Sequence, residues 1–212
     1  MNGLSDFQVE VTHFFFALPS SDGFLLAGGS ALLASGLTTR PTRDLDFFGA
    51  PSVADVARVC EQFESAIINK GWCSARLQFS NSFVRLHVVG PEELIVEFAI
   101  DSEARWSPVL SIVGPTFDPQ ELAGRKLVAL FNRAEARDFA DVYVLAQRFD
   151  TPSLLAWAQE IDPGFDRAVL RDMFSTLERF TDEEIPIDPS LVSRMRAFFD
   201  SWSRDLPASN AQ

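Results

Sequence analysis

Positive charge is scarce in this chain. Its 212 residues hold 18 Lys and Arg against 30 Asp and Glu, a net charge of −12. A protein that coats nucleic acid nonspecifically is basic overall, so that class is unsupported; an enzyme with a local basic patch that visits one end of an RNA remains compatible. Cysteine is also scarce. Cys60 and Cys73 allow at most one bridge, and neither sits in a CxxC pair, which predicts two reduced core thiols in a cytoplasmic protein. His13 and His87 cannot join them at any usual zinc-finger spacing, so each histidine reads as a core or surface residue. No Arg or Lys precedes Arg40, and the apolar runs at 14–16 and 24–27 are short and divided by Pro19, Ser20, Ser21 and Asp22. Neither a signal peptide nor a membrane span is expected. What remains is an ordinary globular balance, 47% apolar and 23% charged. A chain of this size can bury about 70% of its unfolded surface without a disulfide or structural metal.

The order of elements divides the chain. An opening helix within residues 1–23 leads through a Pro-Ser-Ser-Asp-Gly turn to a buried strand at 23–27. Gly28-Gly29-Ser30 follows, then a helix that Gly36 ends, a polar loop and an alternating strand from Asp44 to Phe48. Residues 52–70 form an amphipathic helix with Ser52 as a plausible cap and Gly71 as its stop. Runs at 75–79, 83–89 and 94–100 read as strands. Beyond Pro119 the strand signal fades, and 120–131, 139–149, 153–159, 165–180 and 189–206 read as helices. The expected organisation is a mixed α/β half over 1–115, an α-helical half over 116–206 and a polar tail at 207–212. The Phe-rich C-terminal helices read as core.

Three features carry chemistry. Gly-Gly-Ser between a strand and a helix lets backbone approach a ligand, offers free amides to a phosphate oxygen and adds the Ser30 hydroxyl, though many tight strand–helix turns share this composition. Asp44 and Asp46 alternate on one strand and so share a face. Two like charges that close call for a counter-charge, which Mg²⁺ supplies, unless the strand simply faces water. Glu97 sits in the apolar run Ile95-Val96-x-Phe98, where an unpaired carboxylate is costly. It reads either as a third acid of a two-metal site or as an edge acid facing solvent.

In this order the features resemble the nucleotidyltransferase fold of the DNA polymerase beta superfamily. Two segments narrow the resemblance. Thr39-Arg40-Pro41-Thr42-Arg43-Asp44-Leu45-Asp46-Phe47-Phe48 is similar to the R-x-T-x-D-hydrophobic-D stretch of AbiEii/AbiGii-type (MenT-like) toxin nucleotidyltransferases of type IV toxin–antitoxin systems. Leu122-Ala123-Gly124-Arg125-Lys126-Leu127-Val128-Ala129-Leu130, with Arg133 and Ala136-Arg137-Asp138-Phe139-Ala140-Asp141-Val142-Tyr143, resembles that family's later K-L-x-A-L and R/K-D-x-x-D segments. The likeness runs over residues 23–149 and more loosely beyond. It implies an α+β fold class, with a nucleotidyltransferase-like mixed β-sheet half and flanking helices followed by an α-helical half.

It also implies roles. Gly29 and Ser30 would hold nucleotide phosphates, Asp44 and Asp46 would bind Mg²⁺ and position an NTP, and Lys126 would reach the phosphates. Asp138 would be the later catalytic acid, with Asp141 open as its partner or substitute. A break in the helix between 132 and 137 would place Asp138 near the cap of a new helix. Arg40 and Arg43 would bind triphosphate or an RNA backbone, or only neutralise the two aspartates. Arg125, Arg133 and Arg137 would add positive charge around Lys126. Glu97 would be a metal ligand, a base for the attacking hydroxyl, or neither.

The expected activity is Mg²⁺-dependent transfer of NMP from NTP to an RNA acceptor, foremost the tRNA 3′ end, with release of pyrophosphate and arrest of translation and growth. A cognate antitoxin is the expected protein partner. Transfer to a protein or small-molecule hydroxyl, and a noncatalytic binding module, are the alternatives.

Overall fold

A β-strand that alternates acid and apolar residues must bury one face and expose the other. In the computed structural model, which describes residues 3–208, β2 (Asp44–Gly49) does so. Leu45, Phe47 and Gly49 are buried, while Asp44, Asp46 and Phe48 are half-buried on the opposite face. The chain divides into two units, 1–119 and 120–212.

The first unit is built on a seven-stranded mixed sheet. Its other strands are β1 (Phe24–Ala27), β3 (Cys73–Phe79), β4 (Phe83–Val89), β5 (Glu93–Ile100), β6 (Val109–Ser111) and β7 (Gly114–Thr116). The order is β3-β4-β5-β2-β1-β7-β6. β2 runs antiparallel to β1 and parallel to β5, so two strands from distant sequence flank the acid strand. The helices are α1 (Asp6–Phe16), α2 (Gly28–Ala34) and α3 (Val56–Asn69).

Aromatic rings make the core of this unit. Phe15 of α1 stacks on Phe47 of β2 at 3.9 Å and on Phe98 of β5 at 5.2 Å, while Phe63 of α3 meets Phe98 edge-to-face at 5.4 Å. All four rings are fully buried. Each such ring contributes roughly 1.5–3 kcal/mol through burial, and ring pairs add about 0.5–1.5 kcal/mol. The apolar face of β2 is therefore held firmly, which orients the acids on its other face.

The second unit is helical: α4 (Pro119–Arg133), α5 (Ala136–Leu145), α6 (Thr151–Ile161), α7 (Arg167–Phe174) and α8 (Pro189–Asp205). Gly124 lets α4 meet α6 closely, because a Cβ there would overlap Ile161 Cδ1 and press on Trp157. Phe199 lies 5.1 Å from Phe139 and 5.0 Å from Phe174, in a core that also buries Trp202. The aspartates at the starts of α6 and α8 cap them. Hydrogen bonds from Ser153 and Ser190 hold the Asp150 and Asp188 carboxyls below the usual carboxylate range. Their stabilisation is present above the ordinary Asp value and is lost as pH falls through the lowered one.

Several expectations need correction. α3 starts at Val56 with Asp55 as its cap, accepting from the Arg58 N–H at 3.0 Å; Ser52 instead donates to Glu103. The 165–180 segment is α7 followed by a 3-10 turn at Ser175–Arg179. β6 and β7 went unread, because three-residue strands show no periodicity. The division between the two units lies after Pro119, close to the boundary expected near Pro115. Cys73 is exposed, since β3 is an edge strand; only Cys60 is a core thiol. Burial, and next the Glu64 carboxylate, pushes Cys60 up to about 12, so it stays protonated and is no nucleophile at neutral pH. The tail expected at 207–212 lies outside the described residues from 209 onward.

Replacing Phe15 by Ala removes the ring shared by α1, β2 and α3. A loss of about 3–5 kcal/mol is expected in urea unfolding.

Candidate active site

The site in the first unit begins where β1 hands over to α2. Gly28 has φ +60°, and a Cβ on it would overlap the Asp46 carboxylate. Antiparallel register places Ala27 opposite Asp46, so the acid lies beside the turn. Only a residue without a side chain, tolerant of positive φ, lets that carboxylate rest against the backbone. Gly29 is close to the loop before β2: its Cβ position lies 3.3 Å from Thr42 Cβ and 3.4 Å from an Arg40 terminal nitrogen. Ser30 is fully buried, and its hydroxyl donates to the Ala27 carbonyl at 3.0 Å. That proton is thus used within the turn.

Register then extends the row of polar groups. Asp44 pairs with Ile95 and Asp46 with Glu97 across the parallel β2–β5 ladder, and Glu97 pairs with Arg85 across β4–β5. The Arg85 Nε donates to Glu97 Oε1 at 2.6 Å. The third acid of the sequence pattern is therefore on the same face as the aspartates, but an arginine grips it. Among the described residues no trio of His, Cys, Asp or Glu converges closely enough to hold a metal ion. The donor set is the two aspartates, half-buried on one face. That suits Mg²⁺, which binds through one or two carboxylates and completes its shell with water and substrate phosphates. Arg43 is exposed and Arg40 half-buried in the loop before them.

The second unit matches its buried acids with cations. Lys126 Nζ lies 2.8 Å from Asp141 Oδ2, and both side chains are almost wholly buried. Arg133 grips Asp138 with two hydrogen bonds, at 2.8 and 2.9 Å. Asp138 also accepts the Glu135 N–H at 3.2 Å, closing the cap of α5. The helix break expected between 132 and 137 is present, with Ala134 at φ +48° between α4 and α5. Arg125 pairs with the buried Glu121 at 2.8 Å, and Arg137 with Glu135 at 2.8 Å. The basic surplus expected around Lys126 is thus corrected to a set of cations each with a carboxylate beside it. Of the two acids, Asp141 meets Lys126 and Asp138 meets Arg133.

Sequence reading named the aspartates, Glu97 and Lys126 but missed Arg85 and the role of Gly28. The alternation Phe83-x-Arg85-x-His87, followed by the Gly90-Pro91 turn, was the available signal for a cation facing Glu97.

This sheet, with a glycine turn beside a carboxylate pair, defines a nucleotidyltransferase. The model of the family described as "Nucleotidyl transferase AbiEii toxin, Type IV TA system" matches residues 12–209, and the chain belongs to that family. Such a family implies a nucleotide substrate and an antitoxin partner. No curated protein matches the chain. Solved structures share the fold. MenT4, a nucleotidyltransferase toxin from Mycobacterium tuberculosis H37Rv, aligns with TM-score 0.64 at 18% identity, over 94% of this chain and 83% of its own. A putative nucleotidyltransferase from H. pylori aligns with TM-score 0.57 at 18% identity, over 95% and 96%. JHP933 from Helicobacter pylori aligns with TM-score 0.51 at 19% identity, over 95% and 97%. Among the described residues no helix is long and apolar enough to cross a membrane.

Gly28→Ala is expected to cost about 1–3 kcal/mol from the positive φ and to displace Asp46. Calorimetry with Mn²⁺ should then show weakened binding to a protein that still melts cooperatively. Asp138→Asn should lower stability by about 1–3 kcal/mol, because it loosens a buried acceptor that caps a helix. Asp141→Asn should likewise lower the melting temperature, because it weakens an ion pair with Lys126 that is only slightly exposed.

Proposed function

We propose that this protein transfers a nucleoside monophosphate from an NTP to the 3′ end of a tRNA in a Mg²⁺-dependent reaction, and so blocks translation and growth in the cytoplasm. The observation that carries the reading is the Asp44–Asp46 pair on one sheet face, with Asp46 seated against Gly28. Asp44 and Asp46 would hold the metal, which when bound offsets the charge of the triphosphate and of the pyrophosphate that departs.

The acceptor hydroxyl oxygen forms a bond to the α-phosphorus, the bond from that phosphorus to the pyrophosphate oxygen breaks, and the hydroxyl proton passes to water. Gly28 seats the Asp46 carboxylate against the backbone, and Gly29 lets Thr42 and Arg40 pack beside the turn. Ser30 acts by holding the turn through Ala27, and Arg40 and Arg43 supply positive charge beside the acids. Lys126, held by Asp141, is the cation that the family resemblance assigns to the substrate phosphates. Asp138 shapes the α4–α5 joint. Glu97, held by Arg85, tunes the charge of the acid row rather than accepting the proton. An acidic chain that touches only an acceptor stem is compatible with its charge.

The test is incubation with Mg²⁺, each labelled NTP in turn and total tRNA, beside Asp46→Ala and Glu97→Gln. Label in tRNA is expected with the wild type. Asp46→Ala should lose at least about a hundredfold, the scale set by removing one group that stabilises developing charge. Glu97→Gln should retain transfer within about tenfold, the scale of a supporting contact rather than a ligand. Label found only on protein or a small molecule would overturn the tRNA acceptor.

A further inference from the structure

We propose that Gln8 is a positioning residue for nucleotidyl transfer, tethering the segment that carries Arg40, Arg43 and Asp44 over the Gly28–Gly29 turn. Gln8 lies in the first turn of α1, yet it is only 3% exposed. Its side-chain amide is used at both ends. The Oε1 accepts the Ser5 N–H at 2.9 Å and closes a capping box; the Nε2 donates to the Thr42 carbonyl at 2.9 Å, 34 positions along the chain.

The two uses call for different chemistry. A capping box needs only the acceptor, and glutamate serves as well as glutamine. The contact to Thr42 needs an N–H donor, which only the amide provides. Residue 8 is therefore a glutamine for the sake of the loop rather than the helix.

Thr42 passes the constraint on. Its hydroxyl accepts the Asp44 N–H in a long contact of 3.4 Å, and its Cβ and Oγ1 each lie 3.3 Å from the position a Cβ on Gly29 would take. Residues 38–43 belong to no helix or strand; within them the Arg40 N–H donates to Thr38 Oγ1 at 3.2 Å and Arg40 Nη1 to the Pro41 carbonyl at 3.2 Å, while the Arg43 carbonyl accepts the Ile95 N–H at 3.4 Å. The Gln8 amide adds to these a hydrogen bond from a buried side chain outside the segment, directly on Thr42. Thr42 in turn sets the entry into β2 and the clearance above the glycine turn. The proposal rests on nucleotidyl transfer and not on the identity of the acceptor.

Two substitutions separate the roles. Gln8→Glu keeps the capping acceptor but sets an oxygen against the Thr42 carbonyl. Ser5→Ala removes the hydroxyl that accepts the Gln8 N–H at 3.2 Å and leaves the tether in place. Three quantities are measured on the full chain: amide hydrogen exchange of the 38–46 peptide, the calorimetric Kd for Mg²⁺-NTP, and the KM and kcat of transfer. In Gln8→Glu, exchange of 38–46 should quicken and both Kd and KM should rise roughly five- to tenfold, the size of one lost buried hydrogen bond, with kcat changed less. Ser5→Ala should lower only the melting temperature. Wild-type exchange and Kd in Gln8→Glu would overturn the proposal, as would equal shifts in Ser5→Ala, which would make the effect one of helix capping. A wild-type protein that transfers no nucleotide to any acceptor would overturn the transfer reading instead. Exchange and Kd would then still decide whether Gln8 positions the segment.

Discussion

The contact between the Asp46 carboxylate and the bare backbone of Gly28 constrains the rest of the first unit. A carboxylate can rest there only if three conditions hold together. The residue at 28 must lack a Cβ and adopt positive φ. β1 must run antiparallel to β2 with Ala27 opposite Asp46. The other face of β2 must be buried firmly enough that the strand cannot turn over, and Leu45 and Phe47 provide that, with Phe47 stacked under Phe15. A one-residue slip in register would place both acids in the aromatic core, where an unpaired charge is far too costly to tolerate. Core and site are thus two faces of one strand.

The two units handle charge by different means. The first keeps Asp44 and Asp46 half-buried on one face of β2, in reach of water. The second buries Glu121, Asp138 and Asp141 completely and sets Arg125, Arg133 and Lys126 against them. A buried ion pair adds little net stability over an apolar pair, but breaking one partner away is expensive. The arrangement therefore specifies geometry: Lys126 is aimed by Asp141, and the α4–α5 joint is locked by Asp138.

Much of this was legible in the sequence, because it depends on local periodicity and short-range chemistry. The alternation of Asp44 to Phe48 announced a strand with both acids on one face. The Gly28-Gly29 pair announced a tight strand–helix turn, and the weak apolar pattern at 132–137 announced the break that puts Asp138 in a cap. Other features were invisible for a physical reason. β6 and β7 are too short for any period to show. Asp55 displaced Ser52 as a cap because the preceding residues turn rather than enter the helix. The surplus of positive charge around Lys126 disappeared because each cation meets an acid: Arg125 within α4, Arg137 at the start of α5, and Lys126 and Arg133 where α4 meets α5.

The sequence by itself determined most of the element types and the shared face of Asp44 and Asp46, since each follows from residue identity at fixed spacing, and its motifs carry the resemblance that the family match bears out. Tertiary structure alone decided which acid meets Lys126, that Arg85 grips Glu97, that Ser30 spends its proton on Ala27, and that Gln8 reaches Thr42. Those pairings join residues separated by 3 to 34 positions, and they depend on strand register, turn closure and helix docking, which no local pattern encodes.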